Sequence, residues 1–342
     1  MTGTNLPLYR PHELAFRTQY AELKERARST ATLLPGTPGT LVQRSGTGRH
    51  YWYRVYQSAA GAQVEDLVCK DDDQATLLEA RASLEFAQWM SVQVRNLRKL
   101  DFQVADKGVA GVLVELHNRG LFAAGLGVVG TLCYMAWLNE LGARAVSART
   151  QDIDLATRQS LKLAAPQPFL ETVRATRMDF VAVPGMPHDE PPTSVKLQGR
   201  EGLRIDVLAH GDRLGASIEL PALAWHAQAV PHFDYLLVEP REAALLAGGH
   251  CVPVRLPQPE RFVWHKLYAS ASRKSFPEKA QKDLLQAATL AAVLTEQDDA
   301  ALADSFAELP QAMKKPVRAR LPALLRGLSA HPQARAALEP LA

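Results

Sequence analysis

The chain of 342 residues contains only three cysteines, Cys69, Cys133 and Cys251. None stands in a C-x-x-C spacing, so the sequence indicates neither a zinc site nor a disulfide framework. Cys133 lies in an apolar segment and reads as a small buried hydrophobe. No uninterrupted run of about 18 or more apolar residues occurs, so no membrane-spanning helix is expected. The opening MTGTNLPLYRPHEL has no basic stretch followed by an apolar one, the pattern of a secretory leader. The formal net charge is +3, too small to imply a nucleic-acid partner by itself. Internal repeats and long low-complexity segments are missing too. What these absences leave is an ordinary balance of 47% hydrophobic and 22% charged residues. That is enough for two or three domains with a sizeable core, in a soluble protein of the cytoplasm.

The most informative stretch runs from Leu126 to Asp154. An apolar strand, Leu126 to Val129, leads into Gly130 and Thr131, where a helix begins. Glycine there allows a tight turn and a close approach to a ligand. Thr131 adds a hydroxyl at a helix N-terminus, where unpaired N–H groups and the helix dipole favour an anion such as phosphate. Leu132, Met135, Ala136, Leu138 and Leu141 recur at helical spacing, and Gly142 suits the C-terminal end. The next strand carries Asp152 and Asp154. Residues two apart on a strand share a face, so both carboxylates project together. Paired carboxylates beside a phosphate-cradling turn suit Mg²⁺ with a nucleoside triphosphate. Taken singly, each motif also describes an exposed strand face or a plain helix start.

In order, these parts resemble the nucleotidyltransferases of the DNA polymerase β superfamily. The matching residues are Gly130-Thr131 at the strand-to-helix turn, Asp152-Ile153-Asp154 on the next strand, and Asp206 in LRIDVLAH as a third strand carboxylate. With TQDIDLA, PERFVWHKLYASASR and KAQKDLLQA, the sequence is similar to a bacterial branch of that superfamily and to nucleotidyltransferase toxins of abortive-infection type. The resemblance spans roughly Asp106 to Thr295. Thr131 departs from the commoner Ser. The resemblance implies transfer of a nucleoside monophosphate from an NTP donor to a hydroxyl acceptor. Asp152, Asp154 and Asp206 would be catalytic and would hold two Mg²⁺ ions (or Mn²⁺), about 3.5–4 Å apart. Gly130, Thr131, Lys266 and Arg273 would bind the nucleotide. The acceptor is left open among an RNA such as a tRNA end, a protein side chain and a small molecule. An antitoxin-like partner protein belongs to the toxin-like reading. A non-catalytic nucleotide- or nucleic-acid-binding regulatory module is the alternative.

The implied fold class is α+β: a polymerase β-like mixed sheet with flanking helices, an N-terminal helix and β-hairpin region, and a helical C-terminal module. The divisions fall at 1–104, 105–260 and 261–342. In the first, a helix is expected over Tyr20 to Leu33, then strands over Thr40 to Arg44, His50 to Gln57 and Gln63 to Cys69. Two readings of these strands stand side by side. Arg44, Arg49, Arg54, Tyr51, Trp52 and Tyr53 could stack and neutralise nucleic acid, or the aromatics could pack on the protein's own helices. A long helix follows over Asp73 to Leu100, opened by acidic residues, and another over Asp106 to Arg119. After the core come MPHDEPPT as a loop, strands over Ser194 to Gln198 and Leu203 to Ala209 around the turn GREG, and further strands over Phe233 to Val238 and His250 to Arg255. Lys266 and Arg273, seven apart in a helix over Phe262 to Ser272, share a face. From charge pattern alone that face is solvated; the resemblance assigns it to phosphate. Asp283 is either a partner for those cations or an exposed residue. Pro310, Pro316 and Pro322 are expected to divide the C-terminal region into short helices. The run Lys314 to Arg320 is either an RNA contact or a solvated helix end.

Overall fold

A computed structural model describes residues 6–46, 48–158, 160–185, 190–199, 202–298 and 300–342. Much of the expected MPHDEPPT loop, parts of the GREG turn and Thr47 lie outside the described residues. The first elements among the described residues are a short strand, β1 (Tyr9–Pro11), and a helix, α1 (Leu14–Arg28), which buries Tyr20, Leu23 and Ala27. This helix starts and ends earlier than the sequence suggested. Ser29 and Thr30 donate their hydroxyls to the Arg26 carbonyl at 3.0 and 2.8 Å, and such side-chain bonds compete with continuation of a helix. Strands β2 (Thr40–Gly46), β3 (Arg49–Gln57) and β4 (Gln63–Lys70) form an antiparallel sheet in that order. The 26-residue α2 (Gln74–Lys99) packs against it, capped by Asp73, which accepts from the Thr76 N–H at 3.1 Å.

The central unit comprises α3 (Lys107–Asn118), β5 (Gly127–Val129), α4 (Gly130–Glu140), β6 (Ala143–Ala145) and β7 (Asp152–Thr157). Then come α5 (Phe169–Arg174), β8 (Phe180–Val183), β9 (Ser194–Leu197), β10 (Arg204–His210), β11 (Ser217–Leu220) and β12 (Trp225–Val230). Helix α4 is buried on every side, from Thr131 to Asn139. A helix apolar all round is stable only in the interior, and the strands organise around it. The main sheet runs β11-β12-β10-β7-β5, with β9 on β10 and β8 on β9. It is mixed: β7 and β12 lie parallel to β10, while β5 is antiparallel to β7 and β9 to β10. This mixed α/β arrangement with a mixed sheet and many helices is compatible with a nucleotidyltransferase fold.

After the sheet come α6 (Phe233–Leu236), the hairpin β13 (Arg241–Ala247) with β14 (His250–Leu256), and helices α7 (Pro259–Ser272), α8 (Pro277–Gln297), α9 (Ala301–Ala307), α10 (Gln311–Gly327) and α11 (Pro332–Leu338). Two expectations are corrected here. The segment expected as a strand from Phe233 to Val238 is the helix α6. Its Phe233, Tyr235 and Leu236 are buried and it packs on α7; a short apolar run does not by its period separate strand from helix. Pro316 and Pro322 do not divide the C-terminal region, because both lie inside α10. Met313, Val317, Leu321 and Leu324 form an uninterrupted buried stripe through both prolines. Packing of that stripe on α7 and α8 outweighs the roughly 3 kcal/mol or more that an interior proline costs a helix. The hydrophobic core runs continuously from Tyr9 to Leu338, and the three cysteines are buried and unpaired.

Candidate active site

Strand alternation and register decide where the carboxylates lie. On β7, Ile153 and Leu155 are fully buried, and so are Ile205 and Val207 on β10. Asp152, Asp154 and Asp206 therefore project from the opposite face. In the parallel pairing of β7 with β10, Asp154 is directly opposite Asp206, and Asp152 opposite Arg204. In the antiparallel pairing of β5 with β7, Val129 is opposite Asp154. The end of β5 and the start of α4 thus lie beside the carboxylates. Gly130 has φ +67°, and a Cβ built on it would come 1.9 Å from Asp154 Oδ2. The glycine is required twice, by its left-handed backbone and by the room it leaves for the Asp154 carboxylate.

The three carboxylates are held differently. The Asp152 N–H donates to Thr150 Oγ1 at 3.0 Å, a local turn that presents the exposed Asp152 side chain. Asp206 Oδ1 accepts from Arg204 Nε at 2.8 Å, and Arg204 also donates to the buried Ser194 Oγ at 2.8 Å. Asp154 has no such partner among the described residues. Its carboxyl is pushed up to about 6, first by burial and then by the like charge of Asp206, with Asp152 adding to it and Lys266 and Arg273 opposing. All-oxygen donors of this kind suit a hard divalent cation, and a cation would relieve the repulsion on Asp154. The donors share one wall without meeting at one point: among the described residues, no group of three or more His, Cys, Asp or Glu is gathered closely enough to hold an ion.

Facing the strands across a cleft of about 630 Å³ are α7 and α8. Lys266 is buried, and its Nζ donates to Asp283 Oδ1 at 2.8 Å. Arg273 pairs with the other oxygen of the same carboxylate. Asp283 is only 2% exposed, so one buried anion serves two cations, and the group keeps a net charge of +1. Of the two readings of Asp283, the structure gives the partner. Lys282 also lines the cleft, its ammonium lowered by burial and by Lys266, with Asp283, Asp152 and Asp154 acting the other way. His265 packs its ring edge on Phe233 at 5.3 Å between centroids. Burial, Lys266, Arg273 and His232 push it down to about 3, so it is neutral at physiological pH and no proton reservoir.

One cleft thus brings together Gly130, Thr131, Asp152, Asp154, Asp206, Lys266 and Arg273. Arg204, whose R-x-D spacing places it on the face of Asp206, and Lys282 join the site beyond the residues expected from the sequence. Lys279, Lys282 and Asp283, spaced i, i+3 and i+4, mark the cleft-facing side of α8.

A family model described as nucleotidyltransferase matches residues 107–311, well over half of the chain. The match begins with α3, covers both walls of the cleft and ends at the first residue of α10. No curated protein and no solved structure gave a match.

Proposed function

The chain belongs to the nucleotidyltransferase family and is a nucleotidyltransferase enzyme, and from that premise we propose a reaction for this cleft. A nucleoside monophosphate passes from an NTP to an acceptor hydroxyl. The acceptor oxygen forms a bond to the α-phosphorus, the bond to the bridging oxygen breaks, and pyrophosphate leaves. The observation that carries this reading is the register of Asp154 against Asp206, beside the Gly130 turn and opposite the Lys266–Asp283–Arg273 group.

Asp152 and Asp154 would hold both of two Mg²⁺ or Mn²⁺ ions, and Asp206 one of them, the carboxylates drawing together on the ions from the wall they share. When bound, such ions lower the acceptor's pKa and stabilise the leaving oxygen. Asp206, steadied by Arg204, takes the acceptor's proton. Gly130 and Thr131 offer backbone N–H groups and a hydroxyl to the triphosphate at the start of α4. The net positive charge of Lys266 and Arg273 over Asp283 faces the β- and γ-phosphates. Catalysis is then chiefly positioning and charge neutralisation.

Kinship with the polymerase β superfamily is part of the same proposal, supported by the order of Gly-Thr turn, Asp-x-Asp and third strand Asp. Among the described residues no helix is long and apolar enough to cross a membrane, and we place the reaction in the cytoplasm, where NTPs are available. A tRNA acceptor would go with the toxin-like reading and an antitoxin-like partner. The test is incubation with each NTP labelled at its α-phosphorus, Mg²⁺ or Mn²⁺, and either total RNA, lysate protein or small hydroxyl compounds. Label should enter one acceptor class and be lost in Asp154→Asn. No labelled acceptor under any condition, with NTP binding intact, would overturn the proposal.

A further inference from the structure

The two faces of the β2-β3-β4 sheet differ in chemistry. The inner face is internally satisfied. Arg54 is buried and donates to the carbonyls of Pro35, Thr37 and Pro38 at 2.6–2.9 Å. Tyr56 donates to Asp66 at 2.8 Å, Trp52 Nε1 to Asp71 at 2.9 Å, and Arg81 of α2 lies over the Trp52 ring. Arg54 and Trp52 are therefore part of the packing and are unavailable to a ligand. Alternation sends the other half of the strand outward: Arg49, Tyr51, Tyr53 and Val55.

Register extends that outer face across the sheet in two rows. Arg44, Tyr51 and Lys70 are aligned on the three strands, and Val42, Tyr53 and Leu67 form the next row. Leu67 is 59% exposed. Among the described residues the hydroxyls of Tyr51 and Tyr53 have no hydrogen-bond partner, and Arg49 and Lys70 have no ion pair. Glu65 on this face is taken up by Arg44 at 2.8 Å. In the acidic run after Lys70, Asp71 is turned to Trp52 and Gln43, and Asp73 caps α2.

We infer that this outer face binds single-stranded RNA, with bases on Tyr51 and Tyr53 and phosphates along Arg49 and Lys70. Two rings spaced two apart on a central strand give successive bases a platform, and cations in register with them match the backbone charge. A duplex hides its bases and presents phosphates, and a face with three cations, one already neutralised by Glu65, is poor at holding it. Leu67, costly to leave in water, becomes useful against unstacked bases.

The inference is independent of the transfer reaction and is tested by binding alone. Fluorescence anisotropy of the 342-residue chain with a labelled single-stranded RNA of about a dozen nucleotides, at low salt, should show binding. Tyr51→Ala with Tyr53→Ala should weaken it about tenfold or more, the loss expected for stacking. Tyr51→Phe with Tyr53→Phe keeps the rings and should bind as the unaltered protein does. Arg49→Glu with Lys70→Glu should weaken binding and flatten its salt dependence. If the alanine pair fails to fold by circular dichroism, the phenylalanine and charge pairs still decide. Asp154→Asn should bind RNA normally, so binding survives even if RNA is no acceptor. The inference is overturned if the unaltered protein does not bind, if the charge pair binds equally well, if the phenylalanine pair loses binding, or if duplex RNA of the same sequence binds as tightly.

Discussion

The two walls of the cleft treat charge in opposite ways. On the strand wall, Asp152, Asp154 and Asp206 are like charges on neighbouring strands, and Asp154 is held at about 6 by burial and by Asp206. On the helix wall, Lys266 and Arg273 are matched to Asp283 before any ligand arrives. The first wall brings like charges together; the second is a prebuilt ion-pair group. Like charges brought together in this way add nothing to stability, and only Asp206 has a cation, Arg204, paired to it. The helix wall ties α7 to α8 through one buried carboxylate and leaves a formal charge of +1.

The sharpest way to break this contrast is to remove charge from the strand wall. Asp152→Asn and Asp154→Asn keep the side-chain shape and lose the anion. Nucleotide transfer should fall about a thousandfold or more, the scale expected when charge stabilisation at a reacting centre is removed. The melting temperature should hold or rise in both. Activity retained in both, with normal circular dichroism, would remove the pair from the mechanism.

Cutting the helix wall should have the opposite signature. Asp283→Ala leaves Lys266 buried without its anion, and breaking a buried pair from one side costs about 3–5 kcal/mol. Urea unfolding should show a lower midpoint with little change in slope. Asp283→Ala as stable as the parent protein would mean that the pair is solvated in solution and that the two walls are not different in kind.

Much of this contrast was already written in local patterns. The Gly130-Thr131 turn, the helix after it and the Asp152/Asp154 alternation depend on periods of 3.6 and 2 within a short window, and they emerge in the structure within a residue or two. The register that sets Asp206 against Asp154 is non-local, and it was the family resemblance, not spacing, that pointed to Asp206. Gly130 was legible as a turn, but its crowding against Asp154 Oδ2 depends on the pairing of β5 with β7. The role of Asp283 stayed open because a carboxylate on a helix is solvated or bridging according to which helix packs on it. Phe233 to Leu236 and the prolines of α10 misled for one reason: tertiary packing overrode a weak local preference.

A finer probe of the helix wall is Lys266→Ala. Arg273 still satisfies Asp283, so the fold should suffer less than in Asp283→Ala, but the positive charge left for the triphosphate is gone. The KM for NTP should rise about tenfold, with kcat falling as well if the contact strengthens in the transition state. Lys266→Arg should restore part of this, since a planar guanidinium reaches differently from an ammonium. Unchanged NTP binding by calorimetry at low salt, where screening is weakest, would leave Lys266 a purely structural member of the pair.

The smallest effect follows from the linkage of Asp154 to pH. Its folded-state pKa, about 6, lies above the ordinary 3.8, so between these values the folded protein holds a proton that the unfolded chain has released. Stability from this group is therefore present at low pH and is lost as pH rises from about 4 through about 6. A shift of this size corresponds to a few kcal/mol at most; because Asp154 lines an open cleft, we expect on the order of 1 kcal/mol. Asp154→Asn has no proton to release, so its melting temperature at pH 7 relative to pH 4.5 should exceed that of the unaltered protein by about 1–2 °C, the shift that about 1 kcal/mol gives a chain of this length. Other carboxylates titrate in the same range in both proteins, and the difference between the two curves isolates the one group. Mg²⁺ should erase part of the difference by favouring the ionised carboxylate. Parallel stability–pH curves for the two proteins would show that the strand wall is already relaxed without a cation, and the asymmetry between the walls would then lie in geometry alone.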